Sequence, residues 1–365
     1  MHFEPPTMSA ALARLAAAES PPPVASPLNI ARLRELLALH ARRSTLLAVL
    51  LLAIDTGLFA VGQWLVVAGP TLLWRLGGGL LTTVAIVRLF VIGHDACHQS
   101  LTDHAALNKL LGRLAFLPSL TPFSLWRVGH NVVHHGFNNL KGRDFVWQPL
   151  DPVEFQALSP ARRALERVYR SALGPLPYYL YEIWWRRLYF PSGRNAPGGR
   201  AEFRLDSTLV TVFAALWLGW LLLGTAAQSL PHALAAVAIG LVVPFLVWNW
   251  VMGFVVYLHH THPDIVWYAD KGAWLKAQGI LQGTIRYRVR PWWNLLLHNI
   301  MEHAAHHLDP RIPLYRLKSA QAALARLVPD TPVVELSLRT YWRSVRQCKL
   351  FDFERRQWVR FPTAS

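Results

Sequence analysis

Charge is scarce in this sequence, and so is cysteine. Only 16% of the 365 residues are Asp, Glu, Lys or Arg, whereas soluble domains usually have roughly 25%. The two cysteines, Cys97 and Cys348, are too few for a fold held by disulfides. Instead, 53% of the residues are hydrophobic, 16 are tryptophans, and the mean hydropathy is +0.24. This composition excludes an ordinary soluble enzyme and predicts a protein that crosses the membrane several times.

Acidic residues are also fewer than basic ones. The chain has 21 Asp and Glu and 37 Lys and Arg, which gives a net charge of +16. In so apolar a chain, cationic loops beside anionic lipid explain this surplus more simply than nucleic acid, and we expect no nucleic-acid partner. Cys97 lies within a histidine cluster, so we expect a free thiol in a reducing compartment. The first 44 residues show no secretory signal pattern, and their Pro-rich patch at 21–23 is typical of a mobile tail.

Four apolar stretches are long enough, at about 20 residues, to span a bilayer. They cover about residues 46–68, 72–92, 209–226 and 234–258. The sequence therefore predicts an all-α integral membrane fold, with four transmembrane helices and a cytoplasmic helical cap that holds a dimetal site. We divide the chain into a cytoplasmic N-terminal tail (1–44), a membrane domain (45–310) and a cytoplasmic C-terminal segment (311–365). In the tail, residues 29–43 are typical of a basic amphipathic helix, which lies either on the membrane surface or in solvent.

The distribution of charge predicts the topology. Of the 37 Lys and Arg, 5 precede the first stretch, 14 lie in residues 93–205 and 16 follow residue 259, while the loop between the third and fourth stretches has none. Positive residues gather on the cytoplasmic side of membrane proteins. We therefore expect both termini and the long loop in the cytoplasm. The Ala-, Leu- and Arg-rich composition indicates a bacterium with GC-rich DNA, and hence the inner membrane.

Three histidine clusters, with the spacings HxxxH, HxxxHH and HxxHH, follow apolar stretches on this predicted cytoplasmic side. On a helix, residues three or four apart share a face, so each cluster can present two or three imidazoles to a metal. Eight such ligands exceed what one four- to six-coordinate ion uses, and the clusters therefore predict two metals. Their members are His94, His98, His130, His134, His135, His303, His306 and His307.

In the second cluster, a regular α-helix would put His130 and His134 on one face and turn His135 away by about 100°. A ligating imidazole also needs a partner for its second ring nitrogen. The nearby candidates, each of which is equally well a helix cap or a solvated charge, are Asp95, Asn131, Asp144, Asn299, Glu302 and Asp309. Three more histidines near the clusters stay open as ligands, namely His259, His262 and His298.

Together these stretches resemble the membrane-bound fatty acid desaturase superfamily. VIGHDACHQS resembles the first histidine box of that family, at the end of its second membrane helix, and SLWRVGHNVVHHGFNN resembles the second box. YLHHTHP and HNIMEHAAHHLDP are similar to acyl-lipid desaturases that act near the middle of a chain. The resemblance covers roughly residues 80–310. The second cluster departs from the pattern of mid-chain desaturases, because it has the spacing HxxxHH where they usually have HxxHH. The longer spacing also occurs in related hydroxylases.

The resemblance implies an O2-dependent fatty acyl desaturase with two non-haem irons, which introduces a cis double bond into a lipid acyl chain. The implied iron ligands are the eight clustered histidines and His260, the best match to a histidine that family members have at the cytoplasmic end of the fourth helix. No catalytic residues beyond these ligands are implied. We expect an apolar substrate tunnel between the helices and the cap. A separate electron donor, a ferredoxin or a small haem protein, would suit the basic surface.

Two other functions remain open. The HxxxHH spacing also fits a diiron hydroxylase or ketolase that acts on a lipid, an alkane or a carotenoid. A metal transporter is the remote alternative. A transporter should have its ionisable ligands inside the spans, near the membrane midplane. The histidines of this sequence instead follow the ends of the predicted spans.

Overall fold

The structure, a computed structural model, describes residues 30–189, 200–226, 228–277, 283–329 and 332–362. The Pro-rich patch at 21–23 lies outside them. Helices dominate the described residues, which confirms the predicted fold class. In chain order they are α1 (Ile30–Leu36), α2 (Thr45–Ala68), α3 (Leu72–Cys97), α4 (Ala105–Phe116), α5 (Phe123–Arg127), α6 (Pro152–Ala157), α7 (Pro160–Tyr169), α8 (Pro175–Pro177), α9 (Arg200–Ala226), α10 (Leu230–His260), α11 (Lys271–Lys276), α12 (Pro291–Leu296), α13 (His303–Leu308), α14 (Leu314–Leu327) and α15 (Leu338–Gln347).

Several helices contain turns that are not α-helical. Helix α5 continues through π-helical turns at Val128–His134 to a last α-helical turn at His135–Phe137. Helix α8 continues as the π-helical segment Tyr178–Tyr189, and α10 contains a π-helical turn at Ala238–Val242. Short 3-10 turns follow α1 and α4, at Ala38–Ala41 and Leu117–Ser119.

Four helices of the described chain, α2, α3, α9 and α10, are long and apolar enough to cross a membrane. Each contains one of the predicted stretches and continues beyond it. Helix α3 runs from the predicted end at residue 92 on to Cys97, and α10 runs from 258 on to His260. Hydropathy marks only the part of a helix that contacts hydrocarbon, whereas the backbone hydrogen bonds continue into the polar layer. These extensions carry His94 and His260.

Helix α3 is the central one of the four. Two thirds (67%) of its apolar window is buried inside the protein, against 22% for each of the other three, whose remaining surface is free to face lipid. Its partner in the first hairpin is α2, and the two backbones meet at glycines. A Cβ on Gly78 would lie 2.6 Å from the carbonyl oxygen of Gly62, so only glycine permits this approach. The predicted helical hairpin is confirmed.

The cap consists of the described residues within 98–189 and 261–362. The cap contains four strands of three residues each, which the sequence did not predict. Strands β1 (Arg286–Arg288) and β2 (Val333–Glu335) pair in parallel. Strands β3 (Leu350–Asp352) and β4 (Gln357–Val359) pair antiparallel. They do not change the helical class of the fold.

Helix α1, predicted as a basic amphipathic helix, packs against the cap. Leu33 and Leu37 belong to the buried core. The Arg34 guanidinium donates a hydrogen bond of 2.7 Å to the carbonyl oxygen of Leu308, the last residue of α13. A basic side chain at this position interacts favourably with the negative end of the helix dipole. The helix therefore caps α13 and is not free in solvent.

A buried ionic network joins the cap to the first hairpin. Asp55 of α2 is fully buried, and its two carboxylate oxygens contact Arg88 Nε and His298 Nε2, both at 2.6 Å. Arg88 also donates to the carbonyl oxygen of Leu295. His298 and Asn299 have left-handed backbone angles, φ 46° and 63°, so the chain turns sharply just before α13. Asp55 thus anchors the segment that leads into the third histidine cluster.

We expect Asp55→Ala to lower the thermal unfolding temperature of the detergent-solubilised protein by several degrees. The substitution leaves the partly buried Arg88 and the buried His298 without their carboxylate, and loss of one partner of a buried ion pair costs about 3–5 kcal/mol. The matched control is Asp103→Ala, which breaks the exposed Arg43–Asp103 pair and should cost about 1 kcal/mol or less. Equal shifts in the two variants would contradict the anchoring role of Asp55.

Candidate metal centre

The first histidine cluster lies at the end of α3. His94 is in the last turn of the helix, and His98 is its C-terminal cap residue. As the spacing predicts, the two rings share one side of the helix, with their centroids 4.8 Å apart. Both rings therefore point from the central spanning helix into the cap.

The second cluster departs from the predicted α-helical geometry. Because residues 128–134 form π-helical turns, with hydrogen bonds from i to i+5, the residues that share a face are five apart. His130 and His135 meet with their Nε2 atoms 3.1 Å apart. His134 points elsewhere, toward Asp144 and His260. The predicted pairing of His130 with His134 is therefore wrong, although all three residues reach the same region.

The third cluster occupies the short helix α13, where all three histidines are buried. His306 Nε2 lies 3.1 Å from His135 Nε2, and His303 Nε2 lies 3.1 Å from His260 Nε2. His307 stacks on His135 with ring centroids 4.2 Å apart. Helix α13 therefore contacts both the second cluster and the end of α10.

These contacts sort the nine predicted ligands into two adjoining groups. Group one has five members, each of which offers a ring nitrogen within 4.8 Å of the others: His94, His98, His130, His135 and His306. Group two has three members by the same measure, His134, His260 and His307. His303, at 3.1 Å from His260, adjoins group two. The structure brings together all nine residues, from four segments that are far apart in the sequence.

The nitrogen geometry fits a metal ion. In group one, Nε2 atoms meet at 3.1 Å in a row from His94 through His130 and His135 to His306. Each neutral ring has only one N–H, so a row of three contacts among four Nε2 atoms cannot be made of three separate hydrogen bonds. Nitrogens that bind one ion at about 2.1 Å, about 90° apart, lie about 3.0 Å from each other. The spacing therefore suits convergence on a cation.

The opposite nitrogens of three rings have acceptors that fix their orientation. His94 Nδ1 lies 3.0 Å from Asp95 Oδ1, and His134 Nδ1 lies 3.1 Å from Asp144 Oδ1. His260 Nδ1 lies 2.9 Å from the carbonyl oxygen of Gly283. With a proton on Nδ1, the Nε2 atom keeps a free lone pair that points at the centre. Asp95 and Asp144 were among the predicted partners. The carbonyl of Gly283 could not be predicted, because every residue has a backbone carbonyl.

The other predicted partners have different roles. Asn131 donates to the carbonyl oxygen of Cys97, and Asn299 donates to that of Leu314. Glu302 accepts a hydrogen bond from Asn294, and Asp309 pairs with Arg311. These contacts hold the backbone around the centre and do not touch the nine rings.

The three histidines that the sequence left open also have other partners. His259 Nδ1 lies 2.8 Å from the carbonyl oxygen of Val255, and its Nε2 lies 3.3 Å from that of Met301. His262 contacts Asp264, and His298 contacts Asp55. Rings that are engaged in this way lie outside both groups.

Burial keeps the imidazoles of the cap neutral. Loss of hydration is the main cause that holds the pKa of His98, His130 and His135 well below the ordinary value, and the neighbouring imidazoles lower the pKa further. The pKa values of His303, His306 and His307 are lowered for the same two reasons. Only a neutral imidazole has a lone pair for a metal, so these rings are ready to ligate at neutral pH.

An apolar cavity opens between the two groups and the membrane helices. Its wall includes His94 and His130 of group one, His134 of group two, and His303. The remaining wall is apolar or aromatic. It comes from α3, α5, α10, the segment 178–189, the loop after α5 and the turn before α13, and it includes Phe90, Trp126, Phe145, Trp147, Tyr178, Tyr179, Ile183, Leu188, Met252, Val255 and Ile300. This is the place where the sequence predicted a tunnel. A long apolar molecule in this cavity would pass directly by both groups.

Comparison with known proteins identifies the family. The family model described as fatty acid desaturase matches residues 70–338. A chloroplastic omega-6 fatty acid desaturase of Arabidopsis thaliana is 32% identical over 73% of this chain and 56% of its own length, so the chain spans about half of such relatives. An sn-1 oleoyl-lipid 12-desaturase of Picosynechococcus is 31% identical over 88% of this chain and 87% of its own length. One of the same name from Anabaena variabilis is 28% identical over 85% of both chains. This protein belongs to the fatty acid desaturase family.

Proposed function

We propose that this protein is an O2-dependent diiron desaturase, which introduces a cis double bond into the acyl chain of a membrane lipid. The observation that carries the proposal is the apolar cavity whose wall contains histidines of both groups. A saturated methylene has no polar group by which it can be selected, so the shape of an apolar wall must position it. The names of the cyanobacterial relatives support an oleoyl lipid as the substrate, with the new double bond at position 12.

We assign the nine histidines as the ligands of two irons. Group one would hold the first iron, and His134, His260, His303 and His307 would hold the second. Neutral imidazole suits iron, zinc and copper alike, and the choice of iron rests on the family. When bound, the two irons supply the oxidising chemistry by which O2 removes hydrogen from unactivated C–H bonds.

The protein's own residues position the substrate and exclude water. Trp126 stacks on His130 with the ring centroids 4.0 Å apart, and Trp147 stacks on Tyr178 at the same distance. These rings make a rigid wall beside the histidines. A chain held against them presents one pair of methylenes to the centre, and the wall keeps water from the reacting carbons.

The electron balance requires a partner. Forming one double bond breaks two C–H bonds and releases two electrons, while reduction of O2 to two waters takes four electrons. The other two electrons, with two protons, come from outside the substrate. We propose a ferredoxin or a small haem protein as their source. The charge distribution of the sequence supports placing the cap and both termini in the cytoplasm, with the bacterial inner membrane as the location.

Cells that express the wild-type chain with a ferredoxin should gain a new doubly unsaturated acyl lipid, and cells that express His135→Ala or His307→Ala should not. Each substitution removes one proposed ligand. The measurement is a mass-spectrometric lipid profile with double-bond localisation. His232→Ala is the control, because this exposed histidine hydrogen-bonds to Ser229 in the loop before α10 and belongs to neither histidine group.

Full turnover in His135→Ala or His307→Ala would contradict the assignment of that residue as a ligand. A hydroxylated or ketone product in place of the double bond would move the function to the hydroxylase class that the HxxxHH spacing also fits. Purified protein that binds no iron and forms no product with any donor would refute the proposal as a whole.

Asp144→Asn should weaken iron binding by group two about 10- to 100-fold, because loss of a carboxylate that orients a ligand has effects of this size. The carboxylate contacts His134 Nδ1 and accepts the backbone N–H of Asn139 and Val146. The measurement is an iron titration against a competing chelator. Asp264→Asn is the matched control, since it changes an Asp–His pair whose histidine lies outside the centre. Unchanged affinity in Asp144→Asn would contradict this role.

A further inference from the structure

A second concave surface lies on the cap beside the third histidine cluster, and we call it the cationic groove. Strand β1 and helix α14 form its two sides, and β2 lies along its edge. Its polar lining consists of Arg286, Tyr287, Arg288, Glu302, Lys318 and Gln321. None of these residues belongs to the apolar cavity, so the groove approaches the histidines from a different direction.

The groove has an excess of unpaired positive charge. Within the described residues, Arg286, Arg288 and Lys318 form no ion pair, and Arg288 and Lys318 are exposed. Glu335, the register partner of Arg288 on β2, makes no ion pair with it there. The acid inside the groove is Glu302, whose carboxylate accepts a hydrogen bond of 2.7 Å from Asn294. The groove thus has three cationic side chains and one carboxylate, which already accepts a hydrogen bond. This excess of positive charge attracts carboxylates.

Gln321 provides a polar donor at the floor of the groove. Its side chain is only 4% exposed. Its Oε1 accepts the backbone N–H of Ala305, in the middle of α13, at 2.9 Å. Its Nε2 is buried and has no partner among the described residues. Buried polar groups almost always have a partner, so Gln321 leaves one N–H without an acceptor beside the groove.

Ring contacts connect the groove to the metal centre. Tyr287, in the groove wall, meets His259 edge-on with ring centroids 5.6 Å apart. His259, which lies outside both ligand groups, in turn packs on His303 at 4.3 Å. A molecule seated in the groove is thus separated from a proposed iron ligand by two packed rings.

We propose that the cationic groove is the docking site of the electron donor, a small one-electron redox protein with carboxylates clustered around its redox group. This inference rests on the proposed function, because a desaturase requires external electrons. At each docking, the reduced donor would pass one electron to the metal that the nine histidines would hold, so two dockings would supply the two external electrons that one double bond requires. A lipid headgroup could share the same charge attraction. The ring contacts between the groove and the centre favour a redox partner over a headgroup.

The test is the triple charge reversal Arg286→Glu, Arg288→Glu and Lys318→Glu in the full chain, loaded with iron in lipid nanodiscs that contain an oleoyl lipid. The donor is a plant-type [2Fe–2S] ferredoxin, reduced by its reductase and NADPH. We expect the KM for ferredoxin to rise about tenfold or more, since electrostatic steering changes association by factors of this order. The KM of the wild type should rise with salt, and that of the variant should lose this dependence.

The matched control reverses three cations on elements that do not line the groove, Lys271→Glu, Lys276→Glu and Arg355→Glu. It carries the same change in net charge, and its KM for ferredoxin should stay within about twofold of the wild type, because distant surface charges are screened. Equal KM values in the groove variant and this control would overturn the docking site. If the triple variant does not fold, the single variant Lys318→Glu, at an exposed helical position, should show a smaller rise in KM, and an unchanged KM would overturn the inference.

A single-turnover experiment separates this inference from the proposed function. The protein is reduced chemically with dithionite, the reductant is removed, and O2 is added without any donor. If the wild type forms no double bond here, the proposed function fails. If the groove variant forms as much product as the wild type and differs only with ferredoxin, the docking site is supported. If the variant instead keeps its KM for ferredoxin but loses binding to phosphatidylglycerol vesicles, the groove is a lipid site and the inference is wrong.

Discussion

The arrangement of the cap depends on the two nitrogens of the buried imidazole. One nitrogen of each ring faces the centre, where Nε2 atoms meet at 3.1 Å, a contact that is favourable only around a proton or a cation. The other nitrogen of His94, His134 and His260 meets a carboxylate or a carbonyl oxygen, which fixes the ring. Because a buried polar group without a partner is costly, these two contacts together constrain the three rings. They fix one ring each at the ends of α3, α5 and α10, whereas α13 is held by contacts of its backbone.

Ties between distant segments hold these helices in place. Asp95, beside the first cluster, accepts the backbone N–H of Leu314 at the start of α14 as well as contacting His94. Gln321 of the same helix accepts the N–H of Ala305 in α13. Asp55 holds the segment before α13 against the first hairpin. The third cluster is therefore positioned from both ends by helices that do not themselves supply its ligands.

The centre has two unlike approaches. On one side, the apolar cavity would bring the proposed acyl substrate past both histidine groups. On the other side, the cationic groove adjoins α13 and can receive a polar partner. Under the proposed function, separate approaches would let electrons enter while the substrate occupies the cavity, and they would keep water away from the reacting carbons. The short helix α13 contributes His303 to the cavity wall, and Glu302, the residue just before this helix, lines the groove.

The sequence by itself determined the four spanning helices and eight of the nine histidines that meet, because span length, apolar composition and histidine spacing are local properties of the chain. The ninth, His260, came from the resemblance to the family. The tunnel predicted between the helices and the cap has its counterpart in the apolar cavity. Only the tertiary structure decided how the nine rings divide into two groups. The π-helical turns pair His130 with His135 and send His134 to the other group, and the choice between i+4 and i+5 hydrogen bonds depends on what packs against the helix. The tertiary structure likewise excluded His259, His262 and His298 and selected Asp95, Asp144 and the carbonyl of Gly283 as partners. Those choices rest on contacts between residues far apart in the sequence, which no local pattern records.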